Sequence, residues 1–180
     1  MLIRKADAPN TALEWLRPLG WSMVGLMLAV PLLAMQFEER LHLGVRWTAS
    51  DFAVAALLLG VTGAALELAV RANGSRAYRA GAFLGTGAAL ALVWINLAVG
   101  LVGAEGNPAN MWFMLVPLVG LAGAALARFE AQGTARAMLA MVVAQIAAGL
   151  LAGGGMQALA ITLAWGSCWL ASAWLFRRAG

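Results

Sequence analysis

The sequence predicts an all-α integral membrane protein, a bundle of six transmembrane helices preceded by a short interfacial helix. Its composition, its apolar runs and its basic residues each support this fold class. Hydrophobic residues make up 63% of the 180 residues and charged residues 11%, whereas an ordinary soluble domain has roughly 45 to 50% and about 25%. A water-soluble fold of this length cannot bury so much apolar surface.

The apolar residues form six runs of suitable length for membrane spans. A helix rises 1.5 Å per residue, so about 20 residues cross a hydrocarbon core of about 30 Å. The runs are residues 19–37, 51–70, 80–103, 108–127, 137–153 and 156–176. The link Gly153-Gly154-Gly155 predicts a tight hairpin, which divides the last two runs into separate spans.

A short interfacial helix is expected before the first span. Thr11 and Glu14 have the spacing of a capping box, and Pro18 is expected to end the helix. The sequence therefore predicts a cytoplasmic amino-terminal segment, a transmembrane domain and a cytoplasmic tail. These cover residues 1–18, 19–176 and 177–180.

The basic residues predict the orientation of the chain. Positive charge concentrates on the cytoplasmic side of membrane proteins. With six spans and a cytoplasmic amino terminus, ten of the twelve basic residues lie on that side, and only Arg40 and Arg46 lie outside. We therefore expect a bacterial inner-membrane protein with both termini cytoplasmic. The basic residues are dispersed among the span ends, so no nucleic-acid partner is expected.

Small residues recur along one face of several predicted spans. Membrane helices associate through close backbone approach at such residues, so the pattern predicts a packed bundle. The faces comprise Ala53, Ala56, Gly60 and Gly63; Gly81, Gly85, Ala89, Leu92, Asn96 and Gly103; Gly120, Ala124 and Ala127; and Ala160, Ala164, Ser167 and Ala171.

Three polar residues within the apolar runs form the candidate buried polar site: Glu67, Asn96 and Gln145. An amide that faces lipid leaves its hydrogen bonds unmade, so Asn96 is predicted to point inward and bond to another helix. Its candidate partners are Thr62, Thr86, Gln145 and Thr162. In the next link, Asn107 is predicted to cap the fourth span, with Pro108 at the first helical position.

Glu67 has two interpretations. Buried acids in membranes often belong to proton or cation relays. Arg71, however, stands four residues later, where an ion pair on the helix surface is favoured. A structural Glu67–Arg71 pair is the preferred interpretation.

The residue inventory argues against catalysis. The chain has one histidine, His42, and one cysteine, Cys168, so a haem or zinc site built from such ligands cannot form within one chain. Its single lysine, Lys5, lies outside the spans. No enzyme activity, cofactor or metal is expected.

Residues 47–110 resemble a family of small multi-pass bacterial inner-membrane proteins. The resemblance rests on the segments WTASDFAVAALLLG, LEL, AYRAG, VWINLAVG and EGNPAN. The family often has a tyrosine and an acidic residue where this chain has Leu66 and Gly106. The resemblance implies a multi-pass membrane fold and assigns no functional residues.

Two functions are consistent with these features. The first is a structural or accessory role, in which the chain binds the lipid bilayer, another membrane subunit or a second copy of itself. The alternative is a small-molecule or proton-coupled transporter that uses Glu67 and Asn96.

Overall fold

The computed structural model describes residues 11–37, 40, 46–72, 75–104 and 106–180, and all its regular secondary structure there is helical. The helices are α1 (Thr11–Gln36), α2 (Ala49–Ala72), α3 (Arg76–Ala98), α4 (Asn110–Leu126), α5 (Ala131–Leu151) and α6 (Met156–Arg177). Four of them, α2, α3, α5 and α6, are long and apolar enough to cross a membrane. The all-α prediction is therefore confirmed. Arg4, Lys5 and His42 lie outside the described residues.

Several helix ends differ from the predicted spans. The first helix continues through Pro18, where the sequence predicts an end. Proline removes one helical hydrogen bond and its ring crowds the carbonyl four residues earlier, but a helix continues past it where neighbouring groups compensate. The third helix ends at Ala98, five residues before the predicted end of the span, and the turn that follows contains Gly100 and Gly103, which adopt positive φ angles of 75° and 69°.

The described chain divides into two compact units, residues 1–64 and 65–180. In the first unit, Trp21 of α1 lies against Gly63 of α2. An open apolar groove of about 470 Å³ is lined by Gly25, Leu28, Ala29, Leu32 and Phe52.

The predicted contact face of α2 is wrong in its first half. Ala53 and Ala56 are exposed, whereas Ala55 and Leu59 are buried. Alanines lie on several faces of this helix, so the sequence does not define a unique small-residue stripe.

The second unit is a four-helix bundle in which α3, α4, α5 and α6 each pack against the next, and α6 packs against α3. Helices α4 and α5 are antiparallel: Gly120 faces Met141, and Gly123 faces Ala137. A Cβ atom on Gly123 would lie 2.8 Å from the Ala137 Cβ. The predicted contact face of α4 is thus confirmed at Gly120 and Ala124, which are both buried.

Helices α3 and α6 are also antiparallel and approach closely. The Ser172 hydroxyl donates a 2.8 Å hydrogen bond to the Gly81 carbonyl. Farther along the pair, Trp165 Nε1 donates to the Ala88 carbonyl at 2.9 Å. A Cβ on Gly85 would lie 2.9 Å from the Ser172 hydroxyl oxygen. Gly81, Gly85, Leu92 and Asn96 are buried, as their spacing predicts.

The predicted contact face of α6 is wrong. Its four small residues are exposed: Ala160, Ala164, Ser167 and Ala171. The buried face instead carries Gly166, Trp169, Ser172 and Phe176. Alanine fits both lipid and a helix contact, so the small residues do not determine the rotation of this helix, and the fully buried Trp169 lies on its covered face.

The antiparallel register gathers the basic residues of the second unit at one end. The starts of α3 and α5 and the ends of α4 and α6 meet there, and α2 ends beside α3, where Arg79 donates to the Val70 carbonyl at 3.3 Å. We call this the arginine end, which comprises Arg71, Arg76, Arg79, Arg128, Arg136, Arg177 and Arg178. Residues 92–104, 106–118 and 149–160, which form the opposite end, contain no arginine or lysine.

The close contact at Gly123 yields a prediction about stability. Gly123→Ala adds a methyl group against the rigid Ala137 side chain, and overpacking of this kind costs about 1 to 3 kcal/mol. The gain in helix propensity is only about 1 kcal/mol, so we expect a lower midpoint of thermal unfolding in detergent.

Gly87→Ala is the matched control, because no atom of another helix lies within 4 Å of the added Cβ. Its unfolding midpoint should be unchanged or higher. Equal destabilisation by both substitutions would contradict the proposed role of close approach.

Candidate functional site

The turn between α3 and α4, described at residues 99–104 and 106–109, contains a group of polar contacts at its end of the bundle. Gly100 adopts a φ of 75°, and a Cβ there would lie 2.7 Å from Asn110 Nδ2 and 2.8 Å from the Ala104 carbonyl oxygen. Glycine is therefore needed at position 100 both for its backbone conformation and for space.

Asn110 holds this turn in place. Its Oδ1 accepts hydrogen bonds from the Leu101 and Val102 N–H groups at 3.0 and 2.9 Å, and its Nδ2 donates to the Ala104 carbonyl at 3.0 Å. The side chain is buried. It thus replaces the hydrogen-bond partners that a regular helix would give these backbone groups.

Asn96 and Asn107 complete the same network. Asn96 Nδ2 donates to the Asn110 carbonyl at 3.0 Å, so Asn96 is buried as predicted, but this partner is not one of the four predicted. Asn107 Oδ1 accepts from the Ala109 N–H at 3.0 Å, and its Nδ2 donates to the Val102 carbonyl at 3.0 Å. The prediction that Asn107 caps the helix is wrong, because the N-cap of α4 is Ala109, which makes no side-chain capping hydrogen bond, and Pro108 lies in the turn. Regular α-helix begins only at Asn110.

Gln145 lies in the interior of the bundle. It is fully buried, and its Oε1 accepts a hydrogen bond from Trp169 Nε1 at 3.3 Å. Within the described part of the chain, its Nε2 has no hydrogen-bond partner. The sequence suggested Gln145 as a site residue but gave no indication of Trp169 as its partner.

Glu67 forms the ion pair that the sequence favours. Its Oε1 lies 2.5 Å from Arg71 Nη2, and the Glu67 side chain is 21% exposed. Such pairs, on a helix surface and partly in solvent, contribute only about 0.3 to 0.5 kcal/mol.

The three residues of the candidate site have separate partners. The described hydrogen bonds link Asn96 to Asn110, Gln145 to Trp169 and Glu67 to Arg71. None of them joins two members of the predicted site. Among the described residues, no group of three histidine, cysteine or acidic side chains is placed to hold a metal ion.

Sequence reasoning missed Tyr78, which connects the helices at the arginine end. Its ring packs edge-to-face on Phe176 with centroids 4.9 Å apart, and its hydroxyl donates to the Phe129 carbonyl. Arg128 and Phe129 both have positive φ angles, 51° and 60°, so this hydrogen bond anchors a strained turn. Tyr78 is the only tyrosine in the chain and lies in the first turn of α3, which is the one sequence signal that distinguishes it.

The asparagine network predicts that Asn110→Ala is strongly destabilising. The substitution removes the acceptor of two backbone N–H groups, and each buried donor left unpaired costs about 1 to 3 kcal/mol. We expect a loss of roughly 2 to 4 kcal/mol in the free energy of unfolding, measured by thermal or denaturant unfolding in detergent.

Gln157→Ala serves as the control, because Gln157 makes one exposed bond to the same turn, accepting from the Gly103 N–H at 3.2 Å. Its cost should stay below about 1 kcal/mol. If Asn110→Ala costs no more than this control, Asn110 does not organise the turn.

Comparisons of the chain with protein-family models, with curated proteins and with solved structures find no match.

Proposed function

We propose that this chain is an integral protein of a bacterial inner membrane with a structural or accessory role and no catalytic chemistry. The observation that supports this most is the use of its polar side chains. Asn96, Asn107 and Asn110 bond to backbone groups of one turn, and Gln145 bonds to an indole. These side chains stabilise the fold. The contacts on which the function depends are therefore made by the outer surface of the protein.

The outer surface of the bundle suits a lipid environment. Large apolar side chains are more than half exposed on every helix of the second unit, among them Phe83, Met111, Leu126, Val143 and Leu163. Their exposure to water would be unfavourable. Contact with lipid tails, with another membrane subunit or with a second copy of the chain removes that cost.

We further propose six spans, with both termini cytoplasmic. Four helices have sufficient length and apolarity. With 17 residues, α4 rises about 26 Å, at the short end of the range for a span. Because α3 to α6 are antiparallel, α4 crosses the membrane if its neighbours α3 and α5 do. By the positive-inside rule, the arginine end then faces the cytoplasm.

Cysteine labelling tests this topology. In a Cys168→Ser background, Gly106→Cys should react with a membrane-impermeant maleimide in intact spheroplasts, because the α3–α4 turn faces the periplasm. Gly180→Cys should react only after lysis, and Thr48→Cys should behave like Gly106→Cys. Labelling of Gly180→Cys in intact spheroplasts would contradict the cytoplasmic carboxyl terminus and, with it, the proposed topology.

The alternative function is a small-molecule or proton-coupled transporter that uses Glu67 and Asn96. One observation favours it: Asn96 Oδ1 and Gln145 Nε2 are buried without hydrogen-bond partners in the described part of the chain. Buried polar atoms of this kind can mark an ion or substrate pathway.

The two functions differ in two measurements. An accessory protein should co-purify with a membrane partner at fixed stoichiometry after gentle solubilisation. It should also show equal proton flux in vesicles for the wild type, Glu67→Gln and Arg71→Gln. Flux that exceeds empty vesicles and falls in Glu67→Gln but not in Arg71→Gln would instead support the transporter.

A further inference from the structure

The arginine end has a one-sided excess of positive charge. Five of its guanidinium groups belong to exposed residues that make no ion pair with a described acid: Arg76, Arg128, Arg136, Arg177 and Arg178. Among residues 65–180, the structure describes only two acidic side chains, and Glu67 is paired with Arg71 while Glu130 is exposed. The cluster therefore presents several uncompensated cations.

Trp174 marks the depth of this cluster. The Arg178 guanidinium carbon lies 3.7 Å from the centre of the Trp174 ring, and Trp174 is half exposed. Tryptophan and arginine together are typical of the headgroup level of a bilayer. The cation–π contact restricts the Arg178 side chain, and Arg177 ends the same helix beside it.

Apolar side chains extend close to the arginines. Leu126 is 87% exposed only two residues before Arg128, and Leu170 is half exposed two turns before Arg177. A soluble polyanion would contact the arginines but leave these leucines in water. A phospholipid offers phosphate to the arginines and acyl chains to the leucines.

We propose that the arginine end binds the phosphate groups of anionic phospholipids, with Arg177 and Arg178 as its principal contacts. This proposal rests on the proposed membrane embedding and specifies the lipid. Anionic headgroups attract basic residues near the surface by about 1 kcal/mol each, or about fivefold in affinity. Guanidinium groups also bind phosphate through paired N–H donors, which lysine does not offer.

Binding is tested with the full chain reconstituted in phosphatidylcholine vesicles that contain a pyrene-labelled phosphatidylglycerol. Energy transfer from the protein tryptophans reports association, and unlabelled phosphatidylglycerol and phosphatidylcholine compete in separate arms. The variants are Arg177→Gln/Arg178→Gln, Arg177→Lys/Arg178→Lys and the control Arg46→Gln, which removes one exposed arginine of the first unit.

We expect phosphatidylglycerol to compete far better than phosphatidylcholine with wild type. The double glutamine variant should lower the apparent affinity by at least about fivefold. The double lysine variant should retain the larger part of the affinity, and Arg46→Gln should match wild type. Equal competition by both lipids, or an equal loss in Arg46→Gln and the double glutamine variant, would overturn the proposal.

A fourth arm adds inorganic phosphate at constant ionic strength. Complete displacement of the lipid by millimolar phosphate would identify a soluble phosphate as the ligand and overturn the lipid assignment. Extraction of native membranes with alkaline carbonate separates this failure from that of the proposed function. A chain that resists extraction but shows no lipid preference contradicts only the lipid site, whereas an extracted chain contradicts membrane embedding itself.

Discussion

Close approach of helix backbones at glycine is the interaction on which the four-helix bundle depends. In a bilayer, lipid tails are as apolar as leucine, so burying leucine between helices gains little. Dispersion contacts instead require surfaces that come close together. The missing side chains of Gly85, Gly120 and Gly123 allow this approach to α5 and α6. The same contacts set the antiparallel register, which in turn gathers seven arginines at one end.

At the ends of the bundle, the turns between helices contain backbone N–H and carbonyl groups that have no hydrogen-bond partner within a helix. Three asparagines solve this problem in the α3–α4 turn, and Asn110 alone makes three side-chain hydrogen bonds there. At the arginine end, the Tyr78 hydroxyl bonds to the carbonyl of Phe129, whose backbone is left-handed. Polarity within the apolar sequence therefore follows from the needs of irregular backbone.

The sequence allowed prediction of the helical class, of most helix positions and of the small-residue faces of α3 and α4. The predicted contact face of α6 was wrong, because alanine is equally suitable for lipid and for a helix contact. Ala160 and Ala164 therefore do not indicate which face of the helix packs against its neighbours. The Glu67–Arg71 pair was predictable since both partners lie on one helix. The partner of Asn96 was not predictable. It is a backbone carbonyl beside an irregular turn, and residue types alone do not show which backbone carbonyls are available as acceptors.

Gln145 shows why a buried polar residue need not be a functional site. Trp169 fills the centre of the bundle and is fully buried, so its indole N–H requires an acceptor that only a neighbouring helix can provide. Gln145 Oε1 is that acceptor. A leucine at position 145 would remove one amide but leave the indole donor unpaired, at a cost of about 1 to 3 kcal/mol. The need of the Trp169 indole for an acceptor thus accounts for Gln145 Oε1, whereas Nε2 is left without a hydrogen-bond partner among the described residues.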